Sequence, residues 1–310
     1  DVFFKLTPFA SVELEQLKSE ALVICFFQVK DELKHARLYQ EKSLSLISMN
    51  YLPRISRAQN MDALSSQSNI AGYKAVIVGA NSLTKYMPLL MTAAGTIKPA
   101  RVLVLGTGVA GLSAIAQAKR MGAQVFAYDV RAETKEQVES LGAQFVTVDV
   151  DEGNHADAGG YAKAVSHDVQ LKQQTVLSDN IKRADLVIST ALIPEQLAPL
   201  LITQAMVEIM SPGSVIMDLA AANGGNCELT QPDQIIVHHQ VIINGMTNLV
   251  SSMPTDASEL YARNVFNLFT CVFSDDGKIA RNDEVVNAAL VFLQGAVLNS
   301  ALQKALEGER

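Results

Sequence analysis

The chain has 310 residues, of which 49% are hydrophobic and 18% are charged, and this length and composition are sufficient for two globular domains with substantial cores. Its net charge of −7 at pH 7 and its lack of a basic run argue against nucleic-acid binding, and no apolar run reaches the roughly 18 residues of a membrane span. Three widely separated cysteines, Cys25, Cys227 and Cys271, predict neither a disulfide framework nor a zinc site and fit a reducing compartment.

The N-terminal part of the chain predicts short alternating strands and helices in a first domain. The apolar patterns favour strands near residues 2–6, 21–27 and 44–49 and helices near residues 11–19 and 30–42. A longer helical pattern then leads into a second domain, and helical patterns at 256–269 and 284–306 follow that domain. The predicted bounds are 1–61 and 253–310 for the first domain, 62–91 for the connecting helix and 92–252 for the second domain.

Residues 101–131 have the pattern of a dinucleotide-binding strand–turn–helix–strand unit. An apolar run at 102–105 predicts a buried parallel strand, and a G-x-G-x-x-G pattern follows it at Gly106, Gly108 and Gly111. The first glycine allows the tight turn, the second lets the backbone approach a pyrophosphate, and the third lets the next helix pack closely on the strand. The N-terminus of that helix is therefore the predicted phosphate site, because its unpaired N–H groups and its dipole favour negative charge.

Asp129 follows the second strand of this unit, close to the expected spacing of about 20 residues after the glycines. A carboxylate at this position accepts hydrogen bonds from the ribose diol and repels a 2′-phosphate. Arg131 is a complication, because a guanidinium just past the strand could meet a 2′-phosphate. The pattern favours NAD(H) over NADP(H), and Asp129 is the residue that decides it.

The strand and helix patterns continue after Asp129 and predict an α/β fold. We expect two Rossmann-like domains, the second a doubly wound parallel sheet with the G-x-G-x-x-G turn, joined by long helices across a cleft. The predicted elements are a helix at 132–141, strands at 145–148 and 185–189, a helix at 202–210, a strand at 214–219 and a closing strand pair at 234–238 and 241–244. Residues 149–175 interrupt this pattern with a long polar segment, and we interpret its first half as a mobile flap, with simple disorder as the alternative.

Two further groups of polar residues lie outside the glycine turn. Arg54, Arg57, Gln59 and Asp62 cluster just before the connecting helix, where an interdomain crevice is expected to bind ligand. Asp62 alone has a strong alternative explanation as the N-cap of that helix, but capping does not explain Arg54, Arg57 and Gln59 directly upstream. The adjacent pair His238-His239 suggests a metal, but consecutive residues on a strand point to opposite faces, so we expect ordinary surface histidines.

Taken with these features, the chain resembles the NAD(H)-binding component, domain I, of proton-translocating nicotinamide nucleotide transhydrogenases. That family belongs to a wider superfamily with alanine dehydrogenase, and the resemblance runs from about residue 50 to about residue 270. The motifs that carry it are RISRAQNMDALSSQSNIAGY (54–73), MTAAGT (91–96), GTGVAGL (106–112), YDVRAETKEQVESLGAQF (128–145), GGYAKAV (159–165), STALIP (189–194) and PGSVIMDLAAANGGNCELT (212–230).

The resemblance implies roles for individual residues. Arg54, Gln59 and Asp62 match a loop that positions the nicotinamide and contacts a partner domain, with Ser65 nearby. The matches to nucleotide contacts are Thr107, Gly108 and Val109 at the pyrophosphate turn, Asp129, Val130 and Arg131 at the adenosine ribose, Gly160 and Tyr161 in the closing loop, and Gln173 and Leu192 elsewhere. No metal is implied.

The resemblance also implies an activity and its partners. Hydride is expected to pass directly between NADH on this chain and NADP⁺ on a partner domain, and a membrane domain is expected to couple the transfer to proton movement. A homodimer is implied, located peripherally on the cytoplasmic side of a bacterial inner membrane or on the mitochondrial matrix side. The first domain is expected to lack N-terminal strands that precede Asp1.

Two other functions stay open at this point. One is an alanine-dehydrogenase-like amino-acid oxidoreductase, and the other is an NAD(H)-binding module without turnover. Alanine dehydrogenases use a Lys and a His of the first domain and an Asp after the fifth strand. Here residues 21–29 contain no His and Ala222 follows the predicted fifth strand, so the acid and base that this chemistry needs are not evident.

Overall fold

The computed structural model describes residues 1–29, 33–147, 167–193 and 196–308. The chain divides into two units, Asp1–Gln67 with Pro254–Arg310 and Ser68–Met253. Its described strands are β1 Val2–Phe4, β2 Leu22–Cys25, β3 Ser45–Ser48, β4 Leu90–Thr92, β5 Gly95–Ile97, β6 Arg101–Leu105, β7 Gln124–Tyr128, β8 Gln144–Phe145, β9 Leu186–Ser189, β10 Val215–Asp218, β11 Ile235–His238, β12 Val241–Asn244, β13 Leu290–Leu293 and β14 Ala296–Val297.

The described α-helices alternate with these strands through most of the chain. They are α1 Ser11–Gln16, α2 Ala36–Glu41, α3 Ala63–Ser82, α4 Val109–Arg120, α5 Lys135–Ser140, α6 His167–Lys182, α7 Gln204–Glu208, α8 Pro254–Val272, α9 Glu284–Ala289 and α10 Ser300–Gly308. Among the residues that the structure describes, no helix combines the length and the apolar character needed to cross a bilayer.

The first unit contains a five-stranded sheet in the order β1-β2-β3-β13-β14. The strands β1, β2 and β3 are parallel, β13 runs antiparallel to β3, and β14 pairs with β13 as a hairpin. The predicted helix over 284–306 is therefore wrong. Gln294 and Gly295 have positive φ values of 45° and 81°, which makes a tight hairpin turn between two strands and interrupts the helix.

The second unit contains a seven-stranded sheet in the order β11-β12-β10-β9-β6-β7-β8. Every neighbouring pair is parallel except β11 with β12. The strand order reverses between β6 and β9, which lie side by side in the middle of the sheet. In sheets of this type ligands bind at the carboxyl ends of the strands at this reversal.

Both faces of the seven-stranded sheet are covered, as the doubly wound prediction requires. Val102 and Val104 of β6 pack on one face with Ala114 and Ile115 of α4. The alternate residues of β6 pack on the opposite face, in a cluster that includes residues of α6 and α7. Because side chains alternate along a strand, β6 is buried on both faces, and each large side chain that is fully buried contributes roughly 1.5–3 kcal/mol of stabilisation.

The predicted connecting helix is shorter than its pattern suggested. The helix α3 ends at Ser82, and an antiparallel pair, β4 with β5, occupies the region near Met91. Pro88 lies between these elements, and a proline in a helix interior removes a hydrogen bond and clashes with the preceding turn. Of the predicted strand at 145–148, only Phe145 belongs to β8, and Val148 lies outside the described residues.

The hairpin of β11 and β12 confirms the predicted closing pair, but its two histidines are not placed as the strand pattern predicts. His238 is the last residue of β11, whereas His239 lies in the turn with a φ of 47°. The two rings are consequently on the same side, with centroids 4.8 Å apart. The expectation of opposite faces is wrong, because strand alternation does not extend into the turn.

Candidate functional site

The glycine turn joins the carboxyl end of β6 to α4. Gly106 has a φ of 92°, and a Cβ at this position would lie 2.7 Å from Thr190 Oγ1. A Cβ on Gly111 would lie 1.9 Å from the Gly106 carbonyl oxygen. These two positions accept only glycine, because a left-handed turn and a close helix-to-turn contact meet here.

Gly108 differs from its two neighbours because its surroundings are open. Among the residues that the structure describes, a Cβ built on Gly108 meets no atom within 4 Å, and the backbone of Gly108 is extended, with a φ of −73°. Gly108 is also the N-cap of the 12-residue helix α4, and no side chain in the described part of the chain caps this helix. An uncapped helix start beside open space at Gly108 is an arrangement that can accept a pyrophosphate.

Asp129 lies immediately beyond β7, and its side chain is 6% exposed. Its carboxylate accepts hydrogen bonds from Thr107 N and Thr107 Oγ1, both at 2.8 Å. Arg131 donates from its backbone N, Nε and a terminal guanidinium nitrogen, each at 3.0 Å. Burial by itself raises the pKa of Asp129, but the hydrogen bonds from Arg131 and Thr107 outweigh it and lower the pKa overall.

These five donors use the hydrogen-bonding capacity of the Asp129 carboxylate, which offers about four lone-pair sites. Thr107 is buried, while the Arg131 side chain keeps 26% of its surface exposed. The two residues that supply these donors thus differ in how easily they can move away from the carboxylate. Beside them, burial and then the charge of Asp129 raise the pKa of Tyr128 to about 12, so its hydroxyl is protonated at neutral pH.

Asn226 organises the carboxyl end of β9, directly beside the glycine turn. Its Oδ1 accepts from Ser189 Oγ at 2.6 Å and from Ala191 N at 3.1 Å. Its Nδ2 donates to the carbonyl oxygens of Ala191 and Pro199, at 2.9 and 2.8 Å. A fully buried amide that makes four hydrogen bonds fixes the backbone that leads to Leu192. Sequence analysis missed this residue, although it lies within one of the quoted motifs.

Asp218 holds the loop that contains Asn226. The carboxylate is 1% exposed and accepts from the backbone N of Ala220, Asn226 and Cys227 and from Thr230 Oγ1, at 2.7–3.0 Å. A buried carboxylate needs such donors to offset its loss of hydration. Asp218 therefore anchors a polar network that extends to the place where the strand order reverses, between β6 and β9.

The other expected nucleotide contacts lie at several places around this edge. Leu192 follows β9 and is 47% exposed, and Val109 opens α4 and is 41% exposed. Val130 is partly buried and packs against one of the two hydrophobic clusters of this unit. Gln173 is partly buried on α6. Gly160 and Tyr161, together with the rest of the expected flap, lie outside the described residues.

The Arg-Gln-Asp segment belongs to the first unit and has well-defined anchors. Asp62 Oδ1 accepts from Ser65 N at 2.9 Å and Asp62 Oδ2 accepts from Ser65 Oγ at 2.6 Å. This is the N-cap geometry that was the simpler explanation of Asp62. Arg57 forms a two-pronged ion pair with Asp283, at 2.6 and 2.8 Å, and this hydrogen-bonded pairing lowers the pKa of Asp283.

Gln59 and Arg54 remain exposed in this segment. The neighbouring Asn60 carbonyl oxygen accepts hydrogen bonds from Asn264 Nδ2 at 2.9 Å and Asn267 Nδ2 at 3.0 Å, both on α8. The segment is thus held by its backbone, by Asp62 and by the ion pair of Arg57 with Asp283. The exposed side chains of Gln59 and Arg54 are accessible from solvent.

Comparison with known proteins matches both parts of the chain to one family. The model "Alanine dehydrogenase/PNT, N-terminal domain" matches residues 1–71, and "Alanine dehydrogenase/PNT, C-terminal domain" matches residues 75–300. The chain is 47% identical over 294 residues to a Rhodospirillum rubrum protein named as the first part of NAD(P) transhydrogenase subunit alpha, covering 94% of this chain and 77% of that protein.

Two other matches cover nearly the whole chain. The corresponding protein of Rickettsia prowazekii is 43% identical over 311 residues, covering 99% of this chain and 81% of that protein. The crystal structure of a transhydrogenase from Sinorhizobium meliloti has a TM-score of 0.85 and 38% identity, covering 96% of this chain and 80% of that one.

Proposed function

The chain belongs to the alanine dehydrogenase/PNT family, and from this premise we propose that it is the NAD(H)-binding component of a proton-translocating transhydrogenase. The chain is an NAD(H)-binding protein of the transhydrogenase alpha-subunit type. The observation that carries the finer proposal is the open glycine turn at Gly108 next to the buried Asp129. Hydride then passes directly between NADH on this chain and NADP⁺ on a partner domain.

The residues of the glycine turn fit a bound dinucleotide. NAD(H), when bound, supplies or accepts the hydride. The uncapped N-terminus of α4 stabilises the negative pyrophosphate, and the open space at Gly108 admits it. Contacts from Thr107, Val109, Val130, Gln173 and Leu192 complete the proposed site. The residues Gly160 and Tyr161 are proposed to close over it.

Asp129 is proposed to bind the adenosine ribose by exchanging one of its donors. Because its carboxylate already accepts five hydrogen bonds, a ribose hydroxyl must replace a donor. Thr107 is buried, so the partly exposed Arg131 side chain is the group that moves. Asp129 thereby neutralises Arg131 when no ribose is bound and disfavours a 2′-phosphate.

Direct hydride transfer requires orientation and exclusion of water, and it needs no general acid or base. We assign the orienting role to Arg54, Gln59, Asp62 and Ser65. Asp62 and Ser65 hold the start of α3 through their two hydrogen bonds. The exposed Gln59 and Arg54 then contact the nicotinamide or the partner.

The proposed partners are an NADP(H)-binding domain and a membrane domain, with a second copy of this chain in a homodimer. The location proposed is peripheral, on the cytoplasmic side of a bacterial inner membrane or on the mitochondrial matrix side. These assignments rest on the family and on the transhydrogenase alpha-subunit relatives.

The deciding experiment mixes the purified chain with an NADP-binding partner domain and follows hydride exchange between NADH and an oxidised NADP analogue. Exchange that needs both proteins is the expected result. In parallel, NADH oxidation is measured for the chain alone with pyruvate and ammonia. Partner-independent turnover of pyruvate indicates an amino-acid oxidoreductase, and NADH binding without any turnover indicates a binding module. Either outcome contradicts the proposal.

A further inference from the structure

Three metal-ligating side chains meet at the turn between β11 and β12. Glu208 is the last residue of α7, His238 is the last residue of β11, and His239 begins the turn. Each residue offers one ligand atom, and these atoms lie within 4.8 Å of one another. We propose that Glu208, His238 and His239 form a binding site for one Zn²⁺ ion.

The distances suit a shared metal. Glu208 Oε1 lies 3.0 Å from His238 Nε2, and two ligands on a tetrahedral zinc ion with bonds of about 2.0–2.1 Å are separated by about 3.3 Å. His239 has to approach further, and its side chain is exposed. The proposal requires this side chain to rotate toward the other two ligands when the ion binds.

The carboxylate of Glu208 is already oriented. Gln204 Nε2 donates to Glu208 Oε1 at 2.8 Å, from one turn earlier on the same helix. Hydrogen bonds of this kind fix metal ligands in productive positions. The turn is held as well, because Gly213 N donates to the Gln240 carbonyl oxygen at 2.8 Å.

The donor set selects the metal. Two imidazole nitrogens and one carboxylate oxygen suit zinc and related transition ions, whereas Mg²⁺ and Ca²⁺ prefer oxygen ligands alone. Three protein ligands leave the fourth zinc position for water. The role assigned to the ion is structural, because its three ligands join two separate elements of the fold.

This site is distinct from the nucleotide site of the same unit. The strand β12 starts directly after the turn and runs parallel to β10 and, through it, to β9 and β6. The turn therefore lies at the amino ends of these strands, whereas Gly106 and Ser189 lie at their carboxyl ends. Bound zinc ties the edge hairpin to α7 and stabilises this edge of the sheet.

The test titrates Zn²⁺ into the full, tag-free chain by calorimetry and records the melting temperature with and without zinc. One ion per chain and a rise in melting temperature are expected, because a ligand that binds only the folded state stabilises it. His239→Asn and Glu208→Gln should each weaken binding about 10-fold or more, since even outer-shell changes cost that much. Asparagine suits the positive φ of residue 239.

The matched control is His167→Gln, which removes a histidine from another part of the chain and should leave the affinity unchanged. Retained stoichiometric binding in both His239→Asn and His238→Gln contradicts the proposal. So does a loss of binding in His167→Gln equal to that in His239→Asn, or the absence of saturable binding in the parent chain.

Discussion

Asp129 and Arg131 form a two-pronged ion pair, with Arg131 Nε 3.0 Å from Asp129 Oδ1 and a terminal guanidinium nitrogen 3.0 Å from Oδ2. The pair joins the residue expected to select NAD(H) to the residue best able to bind a 2′-phosphate. Each side chain therefore restrains the other. We therefore expect cofactor preference to depend on the pair and not on the acid alone.

Replacing Asp129 should change the affinities for both NADH and NADPH. Asp129→Ala should weaken NADH binding by about 1.5–3 kcal/mol, because a charged hydrogen bond to the ribose is lost. The freed Arg131 should at the same time strengthen NADPH binding. Fluorescence titration with both nucleotides measures the two effects. The double variant Asp129→Ala/Arg131→Ala is the control, and it should lose the gain for NADPH. Unchanged NADH affinity in Asp129→Ala shows that the ribose assignment is incorrect.

Gly108 and Gly111 should respond differently to the same added methyl group. Gly108→Ala should fold normally, because its Cβ meets nothing within 4 Å in the described residues. It should nevertheless bind NADH weakly, because the methyl group occupies the space proposed for the pyrophosphate. Gly111→Ala should lower the melting temperature, because its Cβ would lie 1.9 Å from the Gly106 carbonyl oxygen. Circular dichroism and NADH titration separate the two effects. Tight NADH binding by Gly108→Ala contradicts the proposed phosphate position.

Asn226→Ala should destabilise the second unit. The substitution leaves Ser189 Oγ, Ala191 N and two carbonyl oxygens without their partner, and a buried unsatisfied polar group costs about 1–3 kcal/mol. Denaturant unfolding followed by fluorescence measures the loss. Asn287→Ala, at an exposed position on α9, is the control and should change stability little. Equal stability of the two variants shows that the Asn226 hydrogen bonds do not contribute to the free energy of unfolding.

Gln59→Ala should damage hydride transfer far more than NADH affinity. Most of the binding energy is assigned to Gly108 and Asp129, whereas misplacement of the reacting carbon can cost about 10²-fold in rate. Single-turnover kinetics with the partner domain and equilibrium titration with NADH measure the two quantities. Asn60→Ala keeps the carbonyl that α8 binds and is the control. A loss confined to NADH affinity in Gln59→Ala contradicts the positioning role.

The Asp129 interactions should make stability depend on pH in the acid range. The folded-state pKa of Asp129 is lowered, with burial opposed by its hydrogen bonds to Arg131 and Thr107. A lowered pKa gives stability that is present above the unfolded value of about 3.9 and is lost as pH falls through the folded value.

The free-energy difference between the parent and Asp129→Asn should therefore be largest at neutral pH and should shrink below about pH 4. Urea unfolding at a series of pH values measures this change. Glu139→Gln, at an exposed position on α5, serves as the reference. A constant difference down to about pH 3 argues against a lowered pKa at Asp129.

The order of elements around the glycine turn was predictable because local patterns determine it. The buried runs of β6, β9 and β10 and the three glycines are short-range signals, since a strand buried on both faces is continuously apolar. The errors arose where a short turn decides the structure. Gln294-Gly295 divides a pattern that looked helical, and the backbone of His239 departs from strand geometry.

Local sequence patterns were sufficient to predict the fold class and the position of the glycine turn, because glycine geometry and strand–helix order require only neighbours along the chain. The same patterns are the basis for proposing Asp129 as the ribose-binding acid. The partners of the polar side chains, in contrast, became known only from the three-dimensional packing. Asn226 meets Ser189 across 37 residues, Arg57 meets Asp283 across 226 and Glu208 meets His238 across 30. Such pairs form when the packing of apolar strands and helices brings distant segments together, and no local pattern records that outcome.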